Sequence, residues 1–305
     1  MLAAVDAALD EARRAGAALG VAVVHHAGAG HVLDEAMRRL ARAAPGSEVV
    51  LVVTGPDAPE PRPGWPGGTR VLRVENHSYA RAVNRGLAAL GPRPYLAFMN
   101  DDALVTERTF DDLVAALASR PGAGAAGPLA YDGAGRLQKM GLPYRRVQER
   151  ALRAGRRAGG GPAAVRAPWL AGFLVVMTRQ AFAATGGYDE GFRFTNEDLD
   201  HGLRAARLGY ENLLVATPVT HLGGTSTPAH PAFHVEGRRG GYLVTARHLP
   251  RAAALAHRAY LVVEGTLGSV LGGSAAARAA HRAVARMAVR GAWETSPFGP
   301  TLDDR

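Results

Sequence analysis

The sequence predicts an α/β protein: a doubly wound, mostly parallel sheet flanked by helices, followed by a C-terminal helical extension. Three observations carry this. The apolar runs Leu19 to Val24, Val49 to Val53 and Tyr95 to Met99 have the character of strands buried on both faces. Helical patterns separate them, and strand, helix, strand in that order is the right-handed crossover unit of a parallel sheet. Beyond Pro228 the alternation gives way to Ala- and Arg-rich helical sequence, which divides the chain into a domain over 1–227 and an extension over 228–305.

Taken in order, Leu2, Val5, Leu9 and Ala12 recur at helical spacing and predict a short amphipathic helix ending near Gly16. The strand Leu19 to Val24 runs into His25-His26-Ala27-Gly28-Ala29-Gly30, and Val32, Leu33, Ala36, Met37 and Leu40 mark a helix that Pro45-Gly46 stops. The second strand, Val49 to Val53, leads into a Pro- and Gly-dense loop from Gly55 to Gly68. A short strand at Arg70 to Val74, a helix at Ala80 to Leu90 and the strand Tyr95 to Met99 follow. Thr109 to Ser119 reads as a helix capped by Thr109, with Asp112 completing a capping box. The arginine-crowded stretch Arg145 to Arg157, followed by Gly159-Gly160-Gly161-Pro162, reads as a mobile basic excursion. Trp169 to Met177 restores an apolar strand, and Glu197 to Leu208 a helix that Gly209 ends at a left-handed position. Helical sequence from about Tyr242 to Val289 forms the extension.

Bulk properties bound the function. The chain has 305 residues, 47% of them hydrophobic and 21% charged, which is ample for one large core or two smaller ones. The formal charge of +9 favours a negatively charged partner such as a nucleotide diphosphate, an anionic membrane surface or nucleic acid, and equally reflects an Arg-rich composition. Absence of cysteine excludes disulfides, thiolate metal sites and Cys nucleophiles, and fits a reducing compartment. Asp6, Asp10 and Glu11 are foreign to a signal peptide, and the longest apolar stretch, Ala259 to Ala277, is broken by Glu264 and several glycines. A cytoplasmic protein is expected, with a peripheral position at the inner face of the membrane as an extension of that reading.

Four constellations are candidates for chemistry. Leu96 to Ala103 is an apolar run that stops on Asn100-Asp101-Asp102, which either delivers a metal site or begins an Asx turn. Gly28-x-Gly30 begins like a dinucleotide fingerprint, but Leu33 holds the third glycine position and no acidic residue ends the second strand, so an ordinary strand-to-helix turn accounts for it. Thr195-Asn196-Glu197-Asp198-Leu199-Asp200 is either a capping box on Thr195, with Asp200 and Arg204 as a surface pair, or the carrier of a general base. His221 follows an apolar run and precedes Gly223-Gly224, where an imidazole is able to complete an oxygen-rich divalent site.

The order of these signals resembles the family-two inverting nucleotide-sugar glycosyltransferases of the GT-A fold, above all their rhamnosyltransferase-like bacterial branch. Asn76-His77-Ser78-Tyr79 through Asn84-Arg85-Gly86-Leu87 is similar to that branch's paired-asparagine segment, and Asn100-Asp101-Asp102 stands in the place of its Asp-x-Asp. Trp169 to Phe173 and Gly186 to Phe192 resemble its acceptor-side segment, Glu197 to Asp200 its acidic base motif, and His221 to Ser226 its terminal metal-histidine segment. The resemblance covers about residues 19 to 227 and is specific through the order of the motifs together. It implies a divalent metal, manganese or magnesium, on Asp102 and His221, with a nucleotide-diphosphate sugar as co-substrate. Donor contacts fall to His25, His26, Thr54, Asn76, Arg81, Asn84, Asn100, Asp101, Trp169 and Gly172. Asp198 becomes the candidate base and Glu197 its orienting partner. Arg145, Arg146 and Arg150 become a basic lid, and the acceptor a glycan, a lipid-linked glycan or a small natural product. Two departures stand out: Thr54-Gly55 replaces the Asp-Asn that ends the family's second strand and reads the nucleobase, and Asn100 replaces the first Asp of Asp-x-Asp.

Three other classes compete. They are an inactive nucleotide-sugar binder, a dinucleotide oxidoreductase, and a nucleic-acid or membrane-surface module using Arg278, Arg282, Arg286 and Arg290 on one helix face. Of the last, peripheral membrane docking is the expectation and nucleic acid is not.

Overall fold

The computed structural model describes residues 18–26, 30–57, 59–140, 142–158, 163–223 and 230–300. The expected N-terminal helix, Gly28 and the glycine run at 159–161 lie outside them. The chain divides into two compact units, one comprising 1–76, 82–187 and 201–226, the other 77–81, 188–200 and 227–305.

The first unit holds these elements, except for the first turns of α2 and α6, which belong to the second: β1 (Leu19–His25) leads to α1 (Gly30–Ala43), β2 (Glu48–Val53), β3 (Arg70–Arg73), α2 (Tyr79–Ala89) and β4 (Tyr95–Asn100). Then come β5 (Ala103–Leu104), α3 (Thr109–Ala118), β6 (Ala123–Tyr131), α4 (Leu142–Arg157), β7 (Ala164–Ala167), β8 (Leu174–Thr178), α5 (Arg179–Thr185), α6 (Glu197–Arg207) and β9 (Glu211–His221). The sheet order is β3-β2-β1-β4-β8-β6-β9-β5, with β7 also on β9. Strands β3, β2, β1 and β4 are mutually parallel, as are β6 and β9. Strand β8 runs antiparallel between β4 and β6, so the expected doubly wound sheet is mixed at its centre while remaining mostly parallel.

Burial explains the strand sequences. Every residue of β1 and nearly all of β2 and β4 are shielded on both faces, and Leu33, Ala36, Met37 and Leu40 of α1 close one side of this core. Helix α2 meets the sheet through Gly86, where an added Cβ would lie 2.7 Å from both the Ala22 and the Val52 side chains. The Gly of the Asn-x-Gly pattern is therefore a packing requirement. Gly209, at φ +87°, ends α6 as expected.

Three local expectations are corrected. Arg108, not Thr109, is the N-cap of α3 and makes no side-chain cap; the Thr109 hydroxyl instead accepts from the Thr106 N–H at 2.9 Å. The arginine-rich excursion is helix α4, whose buried Tyr144, Val147, Gln148 and Ala151 recur at helical spacing while Arg145, Arg146 and Arg150 face solvent. Arg145 pairs with Glu149 one turn on, at 3.1 Å, as a solvated helix face does. Trp169 to Phe173 is a turn, and the strand begins only at Leu174.

In the second unit the extension is three helices, α7 (Pro231–His248), α8 (Arg251–Leu271) and α9 (Ala275–Arg290), broken at Pro250 and at Gly272-Gly273, and followed by the short β10 (Thr295–Ser296) and β11 (Gly299–Pro300). Val235, Leu261, Ala280, Val284, Met287 and Trp293 form its core. Within it Arg239 is buried and satisfied three ways: by the carbonyls of Trp293 (2.7 Å) and Gly191 (3.1 Å) and by Glu236 (2.9 Å). Glu236 also accepts from the Arg193 N–H and the Ser296 hydroxyl, so this ion pair has the partners that a buried charge pair requires.

Replacing Gly86 by Ala should destabilise the chain by about 1–3 kcal/mol, because the methyl group overpacks helix against sheet. Urea unfolding of the variant checks this; an unchanged midpoint would show that α2 shifts freely.

Candidate active site

Strand β4 ends at Asn100, and the chain turns through Asp101 and Asp102 into β5, where Ala103 pairs antiparallel with His221 at the end of β9. This pairing brings two distant parts of the chain to one point. The Asp102 carbonyl accepts from the Leu222 N–H (3.1 Å) and its carboxylate from the Gly223 N–H (2.9 Å). His221 Nε2 then lies 3.4 Å from the other Asp102 oxygen and 3.5 Å from Asn100 Nδ2.

Gln138 decides which nitrogen of His221 bears the proton. Its amide nitrogen donates to the His221 carbonyl (2.6 Å), which fixes the amide's orientation and places Oε1 3.0 Å from His221 Nδ1. An amide oxygen only accepts, so Nδ1 carries the hydrogen and Nε2 presents its lone pair toward Asp102. Phe173 stacks on the ring with centroids 4.7 Å apart. Burial holds the His221 pKa below the ordinary histidine value, against the opposing pull of Asp102 and Asp101. Gln138 is itself braced, since its carbonyl accepts from the buried Gln148 of α4 at 2.8 Å.

Asp101 points the other way. One of its oxygens lies 2.5 Å from His25 Nδ1, and its N–H donates to the Val24 carbonyl. Burial raises its pKa, and His25 counters that shift. His26 Nδ1 is 3.1 Å from the Thr54 hydroxyl, and the Thr54 N–H donates to the His25 carbonyl at 2.9 Å. Because β2, β1 and β4 are parallel, Thr54, His25 and Asn100 share the carboxyl edge of the sheet, where ligands of open α/β sheets bind.

The other expected donor contacts are more dispersed. Trp169 packs on Tyr144 with ring centroids 4.5 Å apart, and Gly172 leads into Phe173, whose carbonyl accepts from the Asn100 N–H at 2.8 Å. Asn84 lies against Gly187, and Asn76 is exposed beyond β3. Arg81 falls in the second unit, with Nε 3.6 Å from a Glu190 oxygen.

The acidic motif opens α6 in the second unit, and its capping-box reading fails. Thr195 and Asn196 both hold left-handed backbones (φ 65° and 68°), a conformation non-glycine residues rarely adopt and unlike the extended one of an N-cap. Asn196 is tied to the Gly237 carbonyl at 3.2 Å. The surface pair of Asp200 and Arg204 is also corrected: Asp200 is fully buried with an oxygen 2.9 Å from His248 Nε2, and Arg204 donates to the Thr185 and Gly187 carbonyls. Glu197 is buried, and its pKa is pushed up to about 8 by burial first and then by Asp198 and Glu236. Its Oε2 has no hydrogen-bond partner among the described residues. Asp198 is half-buried and accepts from the Leu199 N–H at 2.8 Å.

Asp102, His221 and Asn100 thus meet in the first unit, beside Asp101 and His25, while Glu197 and Asp198 stand together in the second. Sequence reasoning missed Gln138, Gln148 and Tyr144, and named Phe173 only as part of the acceptor-side segment. A lone Gln outside any motif carries no signal, and Tyr144 lies far from Trp169 in the sequence, just before the arginine-rich stretch.

This architecture is the GT-A glycosyltransferase fold. Solved structures that share it include GalNAc-T7 with UDP, GalNAc and Mn2+, at 14% identity and a TM-score of 0.59 over 89% of this chain and 56% of that one. The mannosyltransferase PcManGT of Pyrobaculum calidifontis with GDP-Man and Mn2+ is 15% identical, with a TM-score of 0.55 over 89% and 86% of the two chains. S. aureus TarS has a TM-score of 0.53 at 13% identity, over 84% of this chain and 46% of that one. No family model matches the sequence. By sequence the chain is a distant homologue of the N-acetylglucosaminyl-diphospho-decaprenol L-rhamnosyltransferases of two Mycobacterium tuberculosis strains, 30% identical over 189 residues. That alignment spans 52% of this chain and 60% of the relatives' length.

Glu197 generates a pH prediction. A carboxyl whose folded pKa is raised contributes stability that is complete below its unfolded value and is lost as pH rises through the folded one. The melting temperature should therefore fall between pH 4.5 and about 8, and Glu197→Gln, which mimics the neutral acid, should remove that part of the slope. Thermal melts across this range check it; an unchanged slope in the variant would rule the assignment out.

Proposed function

We propose that the chain is a metal-dependent inverting glycosyltransferase that moves a hexosyl or deoxyhexosyl group from a nucleoside-diphosphate donor to an acceptor hydroxyl. The observation that carries this is the pairing of Asp102 with a His221 imidazole whose Nε2 lone pair Gln138 orients toward it, at the carboxyl edge of a GT-A sheet. Two structural neighbours that hold Mn2+, one with UDP and GalNAc and the other with GDP-Man, support the same reading.

The donor set fits a hard or borderline divalent cation, being one carboxylate and one neutral imidazole with an amide beside them. Asp102 and His221 would hold manganese or magnesium, which when bound supplies neutralisation of the charge that builds on the departing diphosphate. Gln138, Gln148 and Phe173 keep the imidazole in the required tautomer and orientation. Thr54 and His26 offer a hydroxyl and an imidazole where the family has a carboxylate, which favours an altered nucleobase preference over a lost donor site.

Asp198 is the proposed base. It takes the acceptor hydroxyl's proton as that oxygen bonds to the anomeric carbon, while the bond from that carbon to the diphosphate oxygen breaks on the opposite face. Glu197, holding its own proton at neutral pH, serves as a hydrogen-bond donor that positions its neighbour or the acceptor.

The relatives' name points to a sugar on a polyprenyl diphosphate as acceptor and L-rhamnose as the sugar transferred. Peripheral contact with an anionic membrane fits that acceptor. Helix α8 exposes Leu255, Val263, Leu267, Val270 and Leu271, and α9 exposes Arg282, Arg286 and Arg290. No helix among the described residues is long and apolar enough to cross a membrane.

Asp198→Asn should lower transfer by about 10²–10⁴-fold with donor affinity retained, as read by turnover and calorimetric titration over a donor panel. Full activity in this variant would remove Asp198 as the base. Asp102→Asn combined with His221→Gln should abolish the manganese-dependent rise in melting temperature that a nucleoside diphosphate gives the parent. A rise that survives the double change would place the metal elsewhere. Replacing Arg282, Arg286 and Arg290 by Glu should release the chain from phosphatidylglycerol vesicles in a sedimentation assay, and unchanged binding would exclude that helix face.

A further inference from the structure

Glu264 is the charge that interrupts the apolar stretch of α8, and the surroundings of that carboxylate are unusual. His234 from α7 and His281 from α9 converge on it, so that three successive helices of the second unit each contribute one side chain. A Glu264 oxygen is 3.2 Å from His281 Nδ1 and 3.8 Å from His234 Nε2, and one ligand atom from each of the three residues lies within 4.8 Å of the others. The two imidazole rings meet edge to face, with centroids 4.6 Å apart.

Glycines flanking Glu264 make this approach possible. A Cβ on Gly268 would fall 2.3 Å from the His281 ring, and one on Gly265 would fall 2.7 Å from the Ala285 backbone nitrogen. Helices α8 and α9 therefore press together at the one turn where His281 reaches the carboxylate.

The cluster is not satisfied by its own hydrogen bonds. His234 Nε2, His281 Nδ1 and Glu264 Oε2 are each shut off from solvent, and among the described residues none makes a hydrogen bond. Buried polar atoms in native proteins are nearly always paired, so three unpaired ones on three residues whose ligand atoms cluster within 4.8 Å call for a shared partner. Arg238 donates at 3.2 Å to Glu264 Oε1, the same oxygen that the two imidazoles approach, which balances the carboxylate's charge and leaves Oε2 as the oxygen without a hydrogen bond. Burial, with Arg238 and His281 adding to it, holds His234 below the ordinary histidine pKa and so keeps its lone pair available.

We propose that His234, Glu264 and His281 form a second metal site, of the zinc type, which fastens α7, α8 and α9 together. Two imidazole nitrogens and one carboxylate oxygen are a three-ligand zinc set with the fourth position left to water. The nitrogen-rich composition sets this site apart from Asp102 and His221, and its existence does not depend on the sugar-transfer reading.

The test uses the full chain carrying Asp102→Asn and His221→Gln, stripped with chelator and titrated with Zn2+ or Co2+ alone. One equivalent should bind, raise the melting temperature and, with Co2+, give the strong visible bands of a four-coordinate ion. A further Glu264→Gln change should abolish all three responses. Diethylpyrocarbonate labelling mapped by mass spectrometry supplies a readout that needs no further variant: Zn2+ should protect His234 and His281. Absence of stoichiometric binding, binding that survives Glu264→Gln, or labelling of both histidines unchanged by Zn2+ would each overturn the proposal.

Discussion

Two adjacent carboxylates buried at the end of one strand are the constraint around which the first unit is arranged. Asp101 and Asp102 are both nearly inaccessible, and like charges held side by side away from water are costly unless each has its own compensation. They diverge, one to each side. Asp101 meets His25 at the end of β1, and Asp102 accepts from the Gly223 N–H, with His221 at the end of β9 beside it. The sheet order supplies both partners, since β1 lies directly beside β4 and the two-residue β5 draws β9 alongside. Because the side-chain period along a strand is two, a slip of one residue between β5 and β9 would turn His221 to the other face and leave Asp102 against a different side chain.

The strands that were legible in the sequence are those whose burial leaves an unambiguous composition. β1, β2 and β4 are apolar through their middles, with His25, Glu48 and Asn100 at their ends, because both faces are covered. Strand β6 has the same burial but reads Ala-Gly-Ala-Ala-Gly-Pro-Leu-Ala-Tyr, and yields no strand signal. The small residues there make room for neighbours: a Cβ on Gly124 would lie 2.8 Å from the Tyr210 side chain. The direction of β8 was likewise not legible, because an apolar run is the same whether it pairs parallel or antiparallel. Helix α4 shows the converse failure. Its arginines dominate the composition, while the four buried positions that make it a helix are few and include a Gln.

For the site, the order of motifs located Asp102 and His221, whose proximity follows from the pairing of β5 with β9. It did not locate Gln138, although Gln138 determines what His221 is able to do. That role depends on an amide meeting both the carbonyl and the ring of one residue far along the chain, a relation with no sequence period. The two capping predictions failed for a related reason. A Thr followed three residues later by an acid satisfies the pattern, but the hydroxyl bonds whichever N–H the preceding turn leaves open. At Thr109 that is the N–H of Thr106, and at Thr195 the left-handed backbone removes the cap geometry altogether.

The left-handed turn at Thr195 and Asn196 has a chemical consequence. It directs the first helical residue, Glu197, into an interior already occupied by Glu236. Arg239, the Arg193 N–H and the Ser296 hydroxyl are all engaged by Glu236. Next to two carboxylates and away from water, Glu197 lowers its energy by retaining a proton through neutral pH. The acidic pair then consists of groups in unlike surroundings, a buried acid that keeps its proton and is able to donate a hydrogen bond and, one residue on, a half-buried carboxyl. Two neighbouring carboxyls separated in this way by their environments are how a single motif acquires an acid and a base. On the proposed reading, the exposure of Asp198 leaves it open to an acceptor hydroxyl, whereas Glu197 keeps its proton because it is buried.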